Sequence, residues 1–95
     1  MSGTDDATLR RLRMRSIRRG IKEMDLILSA YADRRLDALS ADDLALYEAL
    51  LFENDQDLYR WVSGQEAAPP RFSKIVLDIA ETAEKAAREA RFRAS

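Results

Sequence analysis

The chain contains neither cysteine nor histidine. Their lack excludes disulfides, thiolate nucleophiles, zinc sites of the Cys/His kind and the imidazole that most often serves as general base near neutral pH. Proline occurs only as the adjacent pair Pro69 and Pro70, and glycine at three positions. Long apolar runs are missing too: nothing approaches the roughly 20 residues of a membrane-spanning helix, and the first residues lack the apolar centre of a secretory signal. The early arginines resemble a mitochondrial presequence in charge alone, and Asp5 and Asp6 argue against one. These features are those expected of a mature bacterial cytoplasmic protein without membrane insertion.

What is present is 95 residues that are 46% hydrophobic and 35% charged, with a net charge of −1. That balance describes one globular domain over residues 1–95 and leaves no room for a second. A chain of this size buries only about two-thirds of its unfolded surface. Its core is therefore small, with space for one interaction surface rather than a deep substrate pocket. Asp42 and Asp43, Glu53 and Asp55, and Asp57 supply carboxylates in pairs, as acid–base catalysis needs. They also stand where helix starts favour acids, and the structural role accounts for them. The chain is read as a non-enzyme, with no metal site and no cofactor of its own.

The charge is unevenly placed. Residues 1–25 carry seven basic groups against four acidic ones, whereas residues 26–68 carry nine acids against three arginines. A positive edge joined to a negative body can steer a partner protein, sit on nucleic-acid phosphates, or simply hold helices together.

Every segment reads as helix, so the fold class is all-α, a small five-helix bundle with its ordered core over about residues 8–83. A first helix begins near Thr8 and carries Leu9 and Leu12. Ile17, Ile21, Met24, Leu28 and Tyr31 then follow steps of four, three, four and three, a helical stripe facing a core. After the polar stretch Ala32 to Asp37, Ser40 and Asp43 form a capping box with aspartate in place of glutamate. Leu39 and Leu44 make its hydrophobic staple, and Leu44, Tyr47, Leu50 and Leu51 continue the buried face. Asn54 or Asp55 caps a short fourth helix that turns Leu58, Trp61 and Val62 inward and ends at Gly64. Trp61 is expected to be the largest single contributor to the core. The two prolines open the last helix, whose apolar face is Phe72, Ile75, Val76, Ile79 and Ala83. The alanine- and charge-rich tail 84–95 is expected to be exposed and frayed.

One stretch resists a purely structural reading. In RGIKEMD, Arg19 to Asp25, a glycine stands among strong helix formers at a cost of about 0.5–1 kcal/mol relative to alanine. Gly20 marks either a junction between two helices or a place where another chain approaches the backbone closely. On one continuous helix Arg19 and Glu23 share a surface, as do Lys22 and Asp25, which is also what a solvated face looks like.

This block, with LLFENDQDLYRWV at 50–62, resembles the succinate dehydrogenase assembly factor 2 family, the flavinylation factors. The signature is an arginine–glycine pair, two variable residues, then glutamate, a hydrophobic residue and aspartate: Arg19, Gly20, Glu23, Met24 and Asp25. The second block matches in Leu50, Leu51, Asn54, Asp55, Asp57, Leu58, Tyr59 and Trp61. The likeness spans roughly residues 9–80. It implies a five-helix helper, a chaperone that binds the flavoprotein subunit of succinate dehydrogenase or a related fumarate reductase and promotes covalent FAD attachment, the FAD being the client's. The implied partner-binding residues are Arg19, Gly20, Glu23 and Asp25, flanked by Arg18 and Lys22. Gly20 leaves room for a client segment while Arg19 and Glu23 present opposite charges beside it. Such a helper is expected to be monomeric when free and to hold no stable nucleic acid. The alternatives are a small nucleic-acid-binding protein using Arg10 to Arg19, or an antitoxin-like regulator.

Overall fold

In a computed structural model the described residues are 6–17 and 19–94, and they form five α-helices without a strand. These are α1 (Asp6–Ser16), α2 (Lys22–Arg35), α3 (Ala41–Leu51), α4 (Asp55–Val62) and α5 (Ser73–Ala94). Single 3₁₀ turns at Leu36–Ala38 and Pro70–Phe72 complete the α2–α3 and α4–α5 connections. The most extensive helix pair is α2 on α5, with α1 laid against α2 and α3, and α4 packed on α2 and α5.

The stripe Met24, Leu28, Tyr31 is buried as its spacing predicts, and Leu44, Tyr47, Leu50 and Leu51 meet it from α3. Leu58 and Trp61 close the core from α4, while Phe72, Ile75, Val76 and Ile79 close it from α5. The helix starts follow local chemistry. The Ser40 hydroxyl accepts the Asp43 amide at 3.1 Å, and the Asn54 side chain accepts the Gln56 amide at 2.8 Å. Gly64 follows α4 with φ +82°, a left-handed conformation that favours glycine, and its amide donates to the Trp61 carbonyl.

Several local expectations change. The first helix begins at Asp6, ahead of Thr8. Helix α2 runs to Arg35, through much of the polar stretch Ala32 to Asp37, with Ala32 buried on its inner face. Trp61 belongs to the core cluster, as expected. It stays 9% exposed at the rim, stacked on Phe72 with its indole N–H donated to Glu66, because its polar edge needs an acceptor near the surface. The largest fully buried side chains are Tyr31 and Tyr47, 5.4 Å apart between ring centroids. Residues 84–94 continue α5, and Arg34 of α2 pairs with Glu89 there.

The two buried tyrosines carry the core's polar atoms. The Tyr47 hydroxyl lies 2.6 Å from the Ser16 hydroxyl, which donates to the Leu12 carbonyl. Tyr31 donates to Asp78 at 2.7 Å, and Arg35 reaches the same carboxylate oxygen. Burial pushes the Tyr47 phenol up to about 12, and burial together with the bond to Asp78 raises Tyr31 as well.

Two predictions follow from this packing. Trp61→Ala should cost about 3 kcal/mol, the lower end for a large aromatic because the ring is at the rim, read as a lowered urea midpoint. A loss under about 1 kcal/mol would show that Trp61 packs on the core without supporting it. Because both tyrosines ionise near 10 when unfolded and only at higher pH when folded, stability is fully present below about pH 10 and falls as pH rises through the folded values. Urea midpoints should decline through that alkaline window, and less so in Tyr47→Phe. A flat profile in the wild type would contradict the burial of both phenols.

Candidate functional site

Helix α1 ends at Ser16 and α2 begins at Lys22, so Arg19 and Gly20 lie between helices rather than within one. Of the two readings of Gly20, the helix junction is therefore the one the fold shows, and Arg19 and Glu23 do not lie on one continuous helix. The cause lies across the fold, at Asp55, the first residue of α4. Asn54 caps that helix, which leaves the Asp55 carboxylate available for other donors. One of its oxygens stands 2.9 Å from Arg19 Nε and 2.7 Å from Arg19 Nη2, while the other accepts the Gly20 amide at 2.5 Å.

Arg19 is more than one half of an ion pair. Its Nη1 donates to the Arg15 carbonyl in the last turn of α1 at 2.9 Å, and its Nη2 to the carbonyl of Leu51, the last residue of α3, at 3.0 Å. Terminal carbonyls lack helical partners and carry the negative end of the helix dipole, so a guanidinium satisfies both needs. Asp55 in turn sits at the positive start of α4. Three helix ends thus converge on one ion pair, with side-chain exposures of only 13% for Arg19 and 15% for Asp55. The Arg19 side chain is turned into the protein rather than presented to solvent.

Gly20 is exposed, and a Cβ built there would approach the Asp55 carboxylate to 3.2 Å. Part of the requirement for glycine is therefore internal: it admits the carboxylate against the amide. Gly20 also floors a shallow depression of about 390 Å³ whose remaining walls are Met14, Arg15, Ile17, Arg19 and Asp55.

The other expected partner-binding residues fall elsewhere. Lys22 and Glu23 are exposed in the first turn of α2 and do not line the depression, and Asp25 is half-buried one turn in. Arg18 lies outside the described residues. Sequence reasoning took Asp55 for a helix-start acid, named Arg15 only within the basic cluster Arg10 to Arg19, and passed over Met14 and Phe52. Met14 and Phe52 are 55% and 72% exposed, and the Arg15 guanidinium lies 3.9 Å from the Phe52 ring centroid. The signal was there: Met14 falls off the α1 face marked by Leu9 and Leu12, and Phe52 adds an apolar residue after the buried pair Leu50 and Leu51.

Residues 10–83 match the family model described as flavinator of succinate dehydrogenase. The chain belongs to this family. Curated relatives are named succinate dehydrogenase assembly factor 2, mitochondrial. The protein from Schizosaccharomyces pombe is 42% identical over 73% of this chain and 50% of its own length. That from Aspergillus flavus is 43% identical over 81% of this chain and 26% of its own, and that from Debaryomyces hansenii 37% identical over 88% and 63%. The chain thus spans between about a quarter and two-thirds of these relatives. Their names place those proteins in mitochondria; among the described residues of this chain, no helix is long and apolar enough to cross a membrane.

The junction predicts a stability effect at a position that resembles a binding motif. Removing one partner of a largely buried, hydrogen-bonded ion pair strands the other, so Asp55→Ala and Arg19→Ala should each destabilise by about 2–4 kcal/mol. The double variant should cost clearly less than the sum of the two. Additive losses in denaturant melts, or losses under about 0.5 kcal/mol, would show that the two side chains do not depend on each other.

Proposed function

We propose that the chain is an assembly factor that binds the flavoprotein subunit of succinate dehydrogenase, or of a related fumarate reductase, and promotes covalent FAD attachment without catalysing it. The observation that carries this reading is the coincidence of the family match with an open surface at Gly20, held in place by the Arg19–Asp55 pair. The depression is too shallow to enclose a small substrate and suits a segment of another protein. Gly20 and the exposed start of α2, with Lys22 and Glu23, are the contact region; Arg19 acts by holding it. Docking there favours the client conformation in which flavin and acceptor side chain meet, so attachment is accelerated by a shift of population. The compartment follows the client, which for a bacterial chain is the cytoplasm.

Nucleic-acid binding through the N-terminal arginines fits less well. Arg11 and Arg15 face Glu48, Arg13 pairs with Asp37 and Arg19 with Asp55, so this basic cluster is largely answered by carboxylates within the fold.

Deleting the gene should lower covalently bound flavin in the succinate dehydrogenase flavoprotein while the polypeptide persists, as read by in-gel flavin fluorescence beside an immunoblot. Normal covalent flavin in the deletion strain would refute the assignment. Glu23→Ala sharpens the test. The N-cap residue Ile21 offers no side-chain acceptor, so the acid contributes at most about 1 kcal/mol to α2 through the helix dipole. Flavinylation of purified apo-subunit should nevertheless slow markedly. A normal rate with this variant would remove Glu23 from the contact region.

A further inference from the structure

We propose that Arg15 and Phe52 form a recognition element for an acidic–apolar segment of the partner, the guanidinium taking a carboxylate while the ring, with Met14 and Ile17, takes the apolar side chain beside it. This rests on the flavoprotein subunit being the partner, as argued above.

Phe52 and Met14 are two of the large apolar side chains left more than half exposed, at 72% and 55%. Both flank Arg15, Met14 in the last turn of α1 and Phe52 as the C-cap residue that follows α3. Met14, Arg15 and Ile17 wall the depression floored by Gly20, which makes the apolar rim continuous with the proposed contact region.

The charge of the rim identifies what it accepts. Arg13 and Arg19 each donate a hydrogen bond to a carboxylate, and Arg11 closely contacts Glu48. Arg15 differs: the nearest carboxylate oxygen paired with it, on Glu48, is 3.8 Å away and is the same atom that Arg11 contacts. Its guanidinium is instead oriented by the Phe52 ring at 3.9 Å. A stacked guanidinium keeps its planar donor edge available and fixes its direction, so little order is lost when a carboxylate docks. Of the residues that line the depression, Arg15 and Arg19 are cationic and Asp55 is anionic, which gives the lining one net positive charge. An anionic segment with an apolar neighbour complements both properties.

The test is calorimetric titration of purified, FAD-loaded but not yet covalently modified flavoprotein subunit with wild type, Phe52→Ala, Arg15→Gln, Arg15→Lys and Met14→Ser, beside a DNA duplex as second probe. Wild type should bind the subunit. Phe52→Ala and Arg15→Gln should each weaken binding about tenfold or more, and Arg15→Lys should fall between them and wild type because it keeps the charge without the planar fork. Raising ionic strength should weaken wild type more than Arg15→Gln. Thermal melts should be unchanged for Phe52→Ala and Met14→Ser, whose side chains are mostly exposed; Met14→Ser reports on the rim should an Arg15 variant fold poorly. If wild type does not bind the subunit, the partner assignment itself is overturned. If wild type binds and the Phe52, Arg15 and Met14 variants bind equally well, this element is overturned and the partner stands. If the variants lose duplex binding and keep subunit binding, the element belongs to a nucleic acid and the proposal fails.

Discussion

The guanidinium of Arg19 is the point on which the arrangement of α1, α3 and α4 depends. It satisfies terminal carbonyls of α1 and α3 and pairs with an acid at the start of α4, so each charge of the pair meets helix ends of opposite sign. Individually such charge–dipole terms are worth a few tenths to about 1 kcal/mol. Their value here lies in being shared: one rigid fork fixes the relative placement of three helix ends, which a lysine's single ammonium would do less specifically. The chain between α1 and α2 is pinned as a consequence, because the second oxygen of Asp55 holds the Gly20 amide. Glycine is needed at that point for a reason that begins inside the fold and has its effect on the surface.

This divides the arginine–glycine pair into two roles. Arg19 faces inward and positions; Gly20 faces outward and leaves the floor of the depression free of side-chain bulk. Two adjacent residues can thus belong to one motif while failing in different ways, one through stability and the other through access.

Most of the architecture was legible because it depends on local rules. The Met24, Leu28, Tyr31 stripe has helical period, Ser40 and Asn54 are good N-cap residues with amides in reach, and Gly64 occupies a left-handed helix exit. The ion pair was not legible in the same way. Arg19 and Asp55 are 36 positions apart, and Asp55 stands at a helix start where an acid needs no further explanation. Ile17 and Ile21 extended the apolar stripe back through the break because a residue outside a helix can still point at a core, and both are half-buried in the inter-helix segment. Periodicity alone therefore could not decide whether Arg19 and Glu23 share a continuous helix or, as the fold has it, are separated by a junction. The partner of the Trp61 indole N–H was not legible either, since the size of a side chain does not show that the ring edge reaches Glu66.

The uneven charge along the chain has a physical use that does not itself imply a partner. Arg11 and Arg15 of α1 face Glu48 of α3, Arg13 faces Asp37 in the α2–α3 connection, and Arg34 of α2 faces Glu89 of α5. Exposed pairs of this kind contribute about 0–1 kcal/mol each and weaken with salt, so they orient helices more than they stabilise them. What they do change is the surface, because a cation paired within the fold has less field to offer a ligand. Arg15 shares the Glu48 carboxylate with Arg11 and is stacked on an exposed ring, so the positive edge of the sequence narrows in three dimensions to a small oriented site beside Gly20. The selectivity of such a surface comes from the few charges left incompletely answered, and their placement is set by the same helix junction that holds the glycine open.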